Sequence, residues 1–402
     1  MNAFLVDGVR TPVGNFGGSL ASVRTDDLAA LTISELLKRN PGLDPAVVGD
    51  VILGCANQAG EDNRNIARMA SLLAGLPDSV PGETVNRLCA SGLAAAVNGS
   101  RMLALGDADV VVAGGVENMT RGPWVMSKAS KAFGRDSSLF DTSFGWRFVN
   151  PKLEAIYGVD GMGVTAENLV DKYNISREDQ DAFAFRSHMK ATAARDAGLL
   201  AQEILPVSIP QRKQDDVIFS HDEFIKSDTT LARLAKLRPA FRKEGGSVTA
   251  GNSSGLNDGS AALLLANESG LLASNLKPLA QIISSAVVGV EPRIMGIGPV
   301  RASEIALQRA GITFDDLDVI ELNEAFSAQA LACIRAWNLE DDDSRINPNG
   351  GGISIGHPLG VTGSRILLAA ARQLERTGGK YGLVTLCVGV GQGYAVVIKN
   401  TP

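Results

Sequence analysis

Two stretches decide the fold of this chain: Asn86-Arg87-Leu88-Cys89-Ala90-Ser91-Gly92 and Gly356-His357-Pro358-Leu359-Gly360. Each places a reactive side chain, a cysteine or a histidine, on a glycine-containing turn that leads into an apolar helix. A third stretch, Cys387-Val388-Gly389-Val390-Gly391-Gln392-Gly393, adds another cysteine beside flexible backbone. A thiol nucleophile, an imidazole base and a separate proton carrier form a set suited to covalent acyl transfer.

The first two stretches occupy equivalent places in an internal repeat. Asp50-Val51-Ile52-Leu53 resembles Asp318-Val319-Ile320-Glu321, and Cys89 and His357 each lie 39 residues after the aspartate of their own half. An apolar helix and then a β-branched strand follow each reactive residue. The predicted helices are 90–105 and 361–376, and the predicted strands are 108–113 and 381–386. Repeated strand–turn–helix–strand units predict an α/β fold whose two similar halves bring equivalent turns face to face.

The repeat also suggests how the domains are organised. A chain of 402 residues is too long for one simple core, so we expect two domains or one duplicated domain with an insertion. Residues 121–247 break the repeat because they are richer in charge and include a charged helix at 177–197. We predict a first half of residues 1–120 plus 248–272, an inserted domain of 121–247 and a second half of 273–402.

Composition excludes several classes of function. With 45% hydrophobic and 20% charged residues and a net charge of −6, the chain is an ordinary globular protein without the basic surface that nucleic acid requires. No apolar run approaches the ~18 residues of a membrane span, and the first residues read as a strand, not a signal peptide. Four cysteines without a C-x-x-C pair and three scattered histidines disfavour a zinc site and a disulfide scaffold. We therefore expect a cytoplasmic protein without metal, nucleic acid or membrane partners.

Each reactive residue also has a purely structural explanation. An isolated cysteine is usually a small core residue, but Cys89 stands at a helix start, whose free amides and dipole favour a thiolate. His357 lies among glycines that let substrate approach, and a neutral imidazole there could take the proton of Cys89. Cys387 could be a core cysteine at a strand end or a proton shuttle, and the glycines after it, Gly389 first, free N–H groups for an oxyanion. Asn323 could cap a helix or belong to a site at the end of its strand.

Neither cofactor fingerprint nor phosphate loop is present. The glycine-rich runs contain no G-x-x-x-x-G-K-[ST] sequence and no dinucleotide motif with the correct flanks. Cys55 and Cys333 lack any reactive context, and we expect both to be core residues. The inserted region carries a basic cluster that is either a solvated face or a contact with a phosphorylated carrier such as coenzyme A. The cluster consists of Lys226, Arg233, Lys236, Arg238, Arg242 and Lys243.

These motifs together resemble the signature blocks of the thiolases. The blocks are NRLCASG at 86–92, SVTAGNSSGLNDG at 247–259, NEAF at 323–326, GGISIGHPLG at 351–360 and CVGVGQG at 387–393, and the resemblance covers essentially the whole chain. It implies a duplicated five-layer αβαβα fold with an inserted loop domain. It also implies that Cys89 is the acylated nucleophile, His357 its base and Cys387 the acid/base for the other substrate.

The same resemblance implies roles for further residues. Asn323 would hold a water that forms one oxyanion hole with His357, and the N–H groups of Cys89 and Gly389 would form the other. CoA is implied as a substrate, with no permanent cofactor and no metal. The family also implies a homo-oligomer, either a tetramer built as a dimer of dimers or a dimer. The implied CoA-binding and pocket residues are Ser254, Phe241, Phe326, Met162 and, more weakly, Lys226.

Finer features separate members of the family. Residues 57–65 and 141–150 resemble the 3-oxoadipyl-CoA thiolases of bacterial aromatic-compound breakdown, and Gly161 stands where the acetoacetyl-CoA type has a histidine. This resemblance implies cleavage of 3-oxoadipyl-CoA with CoA to succinyl-CoA and acetyl-CoA. Arg147 and Arg64 are the two candidates for binding the terminal carboxylate. The alternatives are an acetoacetyl-CoA or broad 3-ketoacyl-CoA thiolase, a decarboxylating condensing enzyme, a cysteine hydrolase and a non-enzymatic acyl-CoA-binding scaffold.

Overall fold

The computed structural model describes residues 3–401 and contains one large mixed β-sheet with helices on its faces. Ten strands form the large sheet, and two short hairpins stand apart from it. The strands are β1 Phe4–Arg10, β2 Gly14–Asn15, β3 Val48–Gly54, β4 Gly82–Val85, β5 Val110–Asn118, β6 Trp124–Met126, β7 Leu139–Asp141, β8 Val207–Ile209, β9 Val217–Phe219, β10 Asn257–Ala266, β11 Ala280–Gly289, β12 Val319–Leu322, β13 Tyr381–Val388 and β14 Gln392–Asn400.

Twelve α-helices lie in the described chain, along with several short 3-10 turns. The helices are α1 Thr25–Arg39, α2 Ile66–Leu73, α3 Ser91–Leu105, α4 Pro151–Tyr157, α5 Met162–Tyr173, α6 Arg177–Asp196, α7 Leu231–Leu234, α8 Glu268–Ala273, α9 Gly298–Ala310, α10 Ser327–Ala336, α11 Gly352–Ile355 and α12 Leu359–Thr377. The repeat predicted α3, α12, β5 and β13. Glycines often interrupt a strand, but Gly114 and Gly115 both pair with β10. Strand β5 therefore continues to Asn118.

The strand order reveals the internal duplication. The first half runs β4-β3-β5-β10-β1 and the second runs β11-β14-β13-β12, so β3, β5, β10 and β1 correspond to β12, β13, β14 and β11. The two halves meet edge to edge through two antiparallel pairs, Phe4 with Gln281 and Leu5 with Ala280. Strand β3 is parallel to β5, and β12 is likewise parallel to β13. The remaining corresponding pairs, β5–β10 with β13–β14 and β10–β1 with β14–β11, are antiparallel. The duplicated α/β fold is therefore confirmed.

Alternation of side chains along the strands builds the layers. Val111 and Ala113 of β5 pack into a central core with α3, α12 and the inner face of the second half, whereas Val110 and Val112 face α1 and α2. In β14, Val396 points to the same central core and Val397 points to α9 and α10. Since neighbouring side chains of a strand lie on opposite faces, each half buries both faces. From one side of the protein to the other, the layers are α1/α2, the first-half part of the sheet, α3/α12, the second-half part of the sheet, and α9/α10. This is the predicted αβαβα arrangement.

Residues 121–247 contribute no strand to the large sheet within the described chain. They form the hairpins β6–β7 and β8–β9 and helices α4 to α7. A fully buried arginine fastens this region to β1, because Arg10 pairs with Glu203 at 2.7 Å and with Asp222 at 2.7 Å. This arrangement supports the three-part division into 1–120 plus 248–272, 121–247 and 273–402, which stays a prediction.

One expectation about apolar segments was wrong. Among residues 3–401, the stretch Leu88–Leu105 is long and apolar enough, by length and composition, to cross a membrane. It comprises the Cys89 turn and α3, and two thirds of it is buried inside the protein. The stretch is apolar because α3 lies in the central layer and packs against β5, β3 and α12. A core helix of this kind is weak evidence for a membrane span.

Candidate active site

A tight turn presents Cys89 at the start of α3. Residues Leu88–Ala90 form a 3-10 turn, and Leu88 has a positive φ of 46°, which is strained for a residue with a side chain. The Asn86 side chain accepts a hydrogen bond from the Leu88 N–H at 2.9 Å, and Ser91 Oγ donates to the Leu88 carbonyl at 2.7 Å. These bonds hold the turn, so that Cys89 is buried at 8% exposure beside the first residues of the helix.

His357 is held by a network that fixes which ring nitrogen carries the proton. Thr362 Oγ1 donates to the Pro358 carbonyl at 3.0 Å and lies 2.7 Å from His357 Nδ1. Because the hydroxyl proton is used by Pro358, the hydroxyl oxygen accepts from Nδ1–H, and we assign the proton to Nδ1. Asn257 Oδ1 accepts the backbone N–H of His357 at 2.9 Å. Nε2 is then unprotonated and can accept a hydrogen bond or a proton.

Asn323 donates a hydrogen bond to that unprotonated nitrogen. Its Nδ2 is 3.3 Å from His357 Nε2, and its backbone N–H donates to the Thr385 carbonyl, two residues before Cys387. The alternative of a helix cap does not describe this residue, since α10 begins only at Ser327 and Asn323 continues the line of β12. Asn323 Oδ1 is buried without a hydrogen-bond partner among the described residues. The structure therefore brings Asn323, His357 and the end of β13 together.

Close helix packing brings Cys89 and His357 to one place. Gly92 and Gly360 each follow the reactive residue of their half by three positions. A Cβ atom on Gly92 would lie 2.6 Å from the Gly360 carbonyl oxygen, and one on Gly363 would lie 2.4 Å from the Leu93 nitrogen. Only glycine permits so close an approach of α3 and α12, and their N-terminal turns therefore meet.

Cys387 and Gly389 lie on the turn that joins β13 to β14. Cys387 is fully buried near the end of β13, and it is close enough to Cys89 for the two thiols to affect each other electrostatically. The backbone N–H groups of Gly389 and Cys89 lie close enough to the Cys89 sulfur to act to lower the pKa of its thiol. Val390, with a φ of 62°, is a β-branched residue in the left-handed region, and it strains this turn. Two backbone donors thus converge on the atom that would carry an acyl group.

The ionisation of the three side chains departs from the sequence-based expectation. Burial raises the pKa of the Cys89 thiol to about 11, although the N–H groups of Gly389 and Cys89 act against this rise. The helix start therefore does not make Cys89 a thiolate on its own, because desolvation of the charged form is the larger effect. Burial also raises the pKa of the Cys387 thiol well above its usual range. Burial and the positive charge of Arg365 lower the pKa of His357 to about 3. At neutral pH both thiols are protonated and the imidazole is neutral.

An apolar wall lines the approach to Cys387. Met162, at the start of α5, and Phe326 pack against a buried cluster of Met295, Ala325 and Cys387. The Phe241 ring meets Phe326 edge-on at a centroid distance of 6.1 Å. Phe241 also lies over Gly163, where a Cβ would reach only 2.1 Å from the ring. Ser254 joins the same wall, because its N–H donates to the carbonyl of Ala325 at 3.0 Å.

Lys226 lies farther out and is exposed. Its Nζ is 4.7 Å from the centre of the Phe224 ring, and that ring covers Gly255, the residue after Ser254. Within the basic cluster, Arg233 pairs with Asp228 and Arg242 pairs with Asp171. The remaining members of the cluster, which lack an ion pair in the described chain and are exposed, are Lys226, Lys236, Arg238 and Lys243.

Four supporting residues were not predicted from the sequence. Thr362 and Asn257 orient His357, as described above. Glu117 accepts N–H bonds from Ala56, Asn57 and Gly360, at 2.8 Å for Gly360, and so ties the start of α12 to the first half. Glu324 accepts from Ser187 and Asn347, and so links the inserted region to the segment before His357. The sequence feature that could have indicated such residues is a polar side chain within or directly beside a motif, such as Glu324 within NEAF.

One cluster near the site contains ligand-type groups. Ligand atoms of Cys55, Asp62 and Glu117 lie within 4.8 Å of one another, and all three residues are buried. Glu117 already accepts three backbone N–H groups, and Asp62 accepts the N–H of Gly60 and the thiol of Cys55. The cluster is therefore accounted for by hydrogen bonding, and the absence of a metal site stays a prediction.

Comparison with known proteins agrees with this geometry. Residues 3–269 match the thiolase N-terminal domain and residues 276–400 match the thiolase C-terminal domain. The chain is 54% identical over 399 residues to a beta-ketoadipyl-CoA thiolase of Acinetobacter baylyi, covering 99% of each, and 54% identical over 398 residues, again 99% of each, to the 3-oxoadipyl-CoA/3-oxo-5,6-dehydrosuberyl-CoA thiolase of Escherichia coli. The crystal structure of the Bacillus anthracis acetyl-CoA acetyltransferase superposes with a TM-score of 0.90 at 41% identity, covering 100% of this chain and 99% of that one. The chain belongs to the thiolase family.

Proposed function

We propose that this protein is an acyltransferase that cleaves 3-oxoadipyl-CoA with CoA, giving succinyl-CoA and acetyl-CoA. The observation that carries the proposal is the convergence of the Cys89 turn, the His357–Asn323 pair and the Cys387–Gly389 turn in one buried place. Full-length relatives at 54% identity that are named for 3-oxoadipyl-CoA or beta-ketoadipyl-CoA support the choice of substrate.

The first half-reaction begins with proton transfer from Cys89 to His357 Nε2. The Cys89 sulfur attacks the 3-oxo carbon, and the bond between carbons 2 and 3 of the substrate then breaks. The electron pair of that bond remains on carbon 2, which takes a proton from Cys387 and leaves as acetyl-CoA. The four-carbon acyl group stays on Cys89 as a thioester, and Cys387 is left as a thiolate.

The second half-reaction regenerates the enzyme. The Cys387 thiolate takes the thiol proton of an incoming CoA, whose sulfur attacks the acyl carbon on Cys89. The departing Cys89 sulfur recovers its proton from His357, and succinyl-CoA is released. The high pKa of both buried thiols suits this cycle, because each proton returns to its donor once the charged state is no longer needed.

Backbone and side-chain donors stabilise the oxygen anions of both steps. Because the N–H groups of Cys89 and Gly389 act on the Cys89 sulfur, we propose that they donate to the oxygen of the attacked carbon. We propose that His357, once protonated on Nε2, and a water held by Asn323 donate to the thioester oxygen of the leaving acetyl-CoA enolate. The expected water on Asn323 is part of this proposal, and the unpartnered Oδ1 of Asn323 supports a polar group at that position.

CoA itself would follow the line of residues that leads out of the site. Met162 and Phe326 adjoin Cys387, Phe241 and Ser254 extend the wall, and Lys226 stands at the exposed end beside further unpaired cations. An apolar channel suits the pantetheine arm, and basic side chains suit the phosphates. We propose CoA as the substrate on this path, with no permanently bound cofactor.

Two measurements test the proposal against its alternatives. Release of free acetyl-CoA and succinyl-CoA from 3-oxoadipyl-CoA, with kcat/KM above that for acetoacetyl-CoA, is the expected result. Preference for acetoacetyl-CoA would support an acetoacetyl-CoA or broad 3-ketoacyl-CoA thiolase. Binding of CoA esters without turnover would support a scaffold. Acid-quenched mass spectrometry after incubation with acetyl-CoA should locate the acyl group on Cys89, and a stable adduct on Cys387 or Cys333 instead would overturn the assignment.

We further propose a cytoplasmic homo-oligomer, either a dimer of dimers or a dimer. The β6–β7 hairpin supports this proposal because it exposes large apolar side chains, among them Trp124 at 73% exposure and the fully exposed Phe133. Strand β4 is an end strand of the large sheet and could pair with a second copy.

A further inference from the structure

The structure separates the two arginines that the sequence offers for the terminal carboxylate. Arg64 is exposed in the turn before α2, and none of its side-chain atoms contacts a polar partner in residues 3–401. Its positive φ of 62° belongs to that turn and not to a pocket. Arg147 is half-buried, and its Nη2 donates to Asn57 Oδ1 at 3.1 Å. Only Arg147 is positioned by the protein.

Arg147 is connected to the nucleophile through a short series of contacts. Asn57 follows Ala56, whose carbonyl accepts from the Asn86 side chain at 3.0 Å, and Asn86 in turn holds the Leu88 N–H of the Cys89 turn. The Asn57 side chain also donates to Thr142 Oγ1 at 3.3 Å. The segment that carries Arg147 is therefore fastened to the Cys89 side of the site.

The neighbouring residue fastens the same segment to the opposite side. Trp146 Nε1 donates to the Asp160 carbonyl at 3.2 Å, two residues before Met162, which packs against the buried cluster that contains Cys387. Residues 146 and 147 thus extend from the Asn57 loop to the start of α5. Arg147 therefore lies on a segment that is tied by hydrogen bonds both to the Cys89 side of the site and to the start of α5.

The electrostatics of Arg147 are unlike those of several other partly buried arginines of the protein. Arg121 pairs with Glu61, Arg242 with Asp171 and Arg335 with Asp179. Within the described chain no carboxylate pairs with Arg147, whose polar contact is the neutral amide of Asn57. A half-buried guanidinium without an anion retains donors for a carboxylate, and a buried carboxylate without such a partner would be costly.

We propose that Arg147 binds the terminal carboxylate of the substrate and so selects dicarboxylic 3-oxoacyl-CoA chains over neutral ones. This inference rests on the proposed function, since it names the group that distinguishes 3-oxoadipyl-CoA at the same site. Asn57 acts as a positioning residue that orients the guanidinium.

The test compares three substrates on four proteins. The substrates are 3-oxoadipyl-CoA, 3-oxohexanoyl-CoA, which is the neutral chain of equal length, and acetoacetyl-CoA. The proteins are the full wild-type chain, Arg147→Met, Arg147→Lys and the matched control Arg64→Ala. Arg147→Met retains the apolar stem and removes the charge, whereas Arg147→Lys retains the charge and loses the paired donors.

We expect Arg147→Met to lower kcat/KM for 3-oxoadipyl-CoA by at least ~10-fold, with unchanged rates on the two neutral chains. Arg147→Lys should lie in between, and Arg64→Ala should match wild type. Equal losses on all three substrates would assign Arg147 a structural role, and no loss on 3-oxoadipyl-CoA would remove it from recognition; both overturn the inference and leave the proposed function intact. A wild-type enzyme that does not prefer 3-oxoadipyl-CoA to 3-oxohexanoyl-CoA would instead overturn the proposed substrate and this inference together.

Discussion

Gly92 and Gly360 face each other where the two central helices cross, and a Cβ atom on Gly92 would lie 2.6 Å from the Gly360 carbonyl oxygen. Each glycine follows the reactive residue of its half by three positions, so the contact lies on the pseudo-symmetry of the duplicated fold. The same contact brings the Cys89 turn and the His357 turn together. The distance between the two reactive side chains therefore depends on two residues that have no side chain.

Gly92→Ala should separate the helices and impair both stability and catalysis. Alanine is normally the better helix former by ~0.5–1 kcal/mol, but here the added methyl meets Gly360 O and Ser364 Oγ, and overpacking of this kind costs ~1–3 kcal/mol. We expect a lower free energy of unfolding and a fall in kcat. Gly99→Ala is the control on the same helix, since its nearest atoms, at 3.0 and 3.2 Å, belong to side chains that can shift. Wild-type activity in Gly92→Ala would contradict the role of this contact.

The sequence predicted the parts of the fold that depend on local pattern and on the repeat. Equal spacing of Cys89 and His357 from Asp50 and Asp318 anticipated the two halves and the meeting of their turns. The sequence did not predict the ionisation of Cys89, because a helix start is visible in the sequence, whereas the burial that outweighs it depends on how the helices pack. Thr362 was missed for a similar reason, since a threonine in a helix is unremarkable until its hydroxyl is found beside His357 Nδ1.

Thr362→Val should weaken catalysis without removing any group that touches the substrate. Valine has a similar shape but cannot accept the hydrogen bond from His357 Nδ1–H, so the tautomer with an unprotonated Nε2 is no longer stabilised. We expect kcat to fall by ~10- to 100-fold, the scale of a buried polar group left without its partner. Thr362→Ser should restore most of the rate, and the rate of Cys89 acylation by acetyl-CoA should fall in parallel with kcat. Equal impairment of the serine and valine variants would indicate a packing role instead.

Cys387→Ala should separate the two half-reactions. Because Cys387 handles the proton of carbon 2 and of CoA, its loss should lower turnover by ~10²- to 10⁴-fold. Acetylation of Cys89 from acetyl-CoA should persist in this variant, whereas His357→Ala should impair acetylation itself. Mass spectrometry of the quenched enzyme measures the acyl group, and a steady-state assay measures turnover. Equal loss of acylation in both variants would contradict the division of roles between them.

Polar substitutions on the β6–β7 hairpin should lower the oligomeric state. Trp124, Phe133 and Leu139 expose large apolar surfaces that a second copy of the chain could cover. The triple change to serine should shift the mass measured by light scattering from the larger assembly to the smaller one, without a loss of secondary structure. Ile218→Ser, on the separate exposed hairpin β8–β9, is the matched control and should leave the mass unchanged. An unchanged mass in the triple variant would exclude this hairpin from the interface.

His357 should make the protein less stable as the pH falls below 6.5. Burial lowers the pKa of the folded imidazole to about 3, whereas the unfolded side chain keeps its ordinary value of about 6.5. Between these two values the unfolded state binds a proton that the folded state does not, so the free energy of unfolding decreases as the pH falls, by ~1.4 kcal/mol per pH unit. His357→Asn removes this dependence. Urea titrations at pH 7.5 and pH 5.0 should therefore show that wild type loses about 2 kcal/mol more than the variant over this interval. His188→Asn should show the same sign, because burial and Lys226 lower the pKa of His188 to about 4. If wild type and His357→Asn lose the same stability between the two pH values, the pKa of the folded imidazole is not lowered, and the buried environment inferred for His357 is wrong.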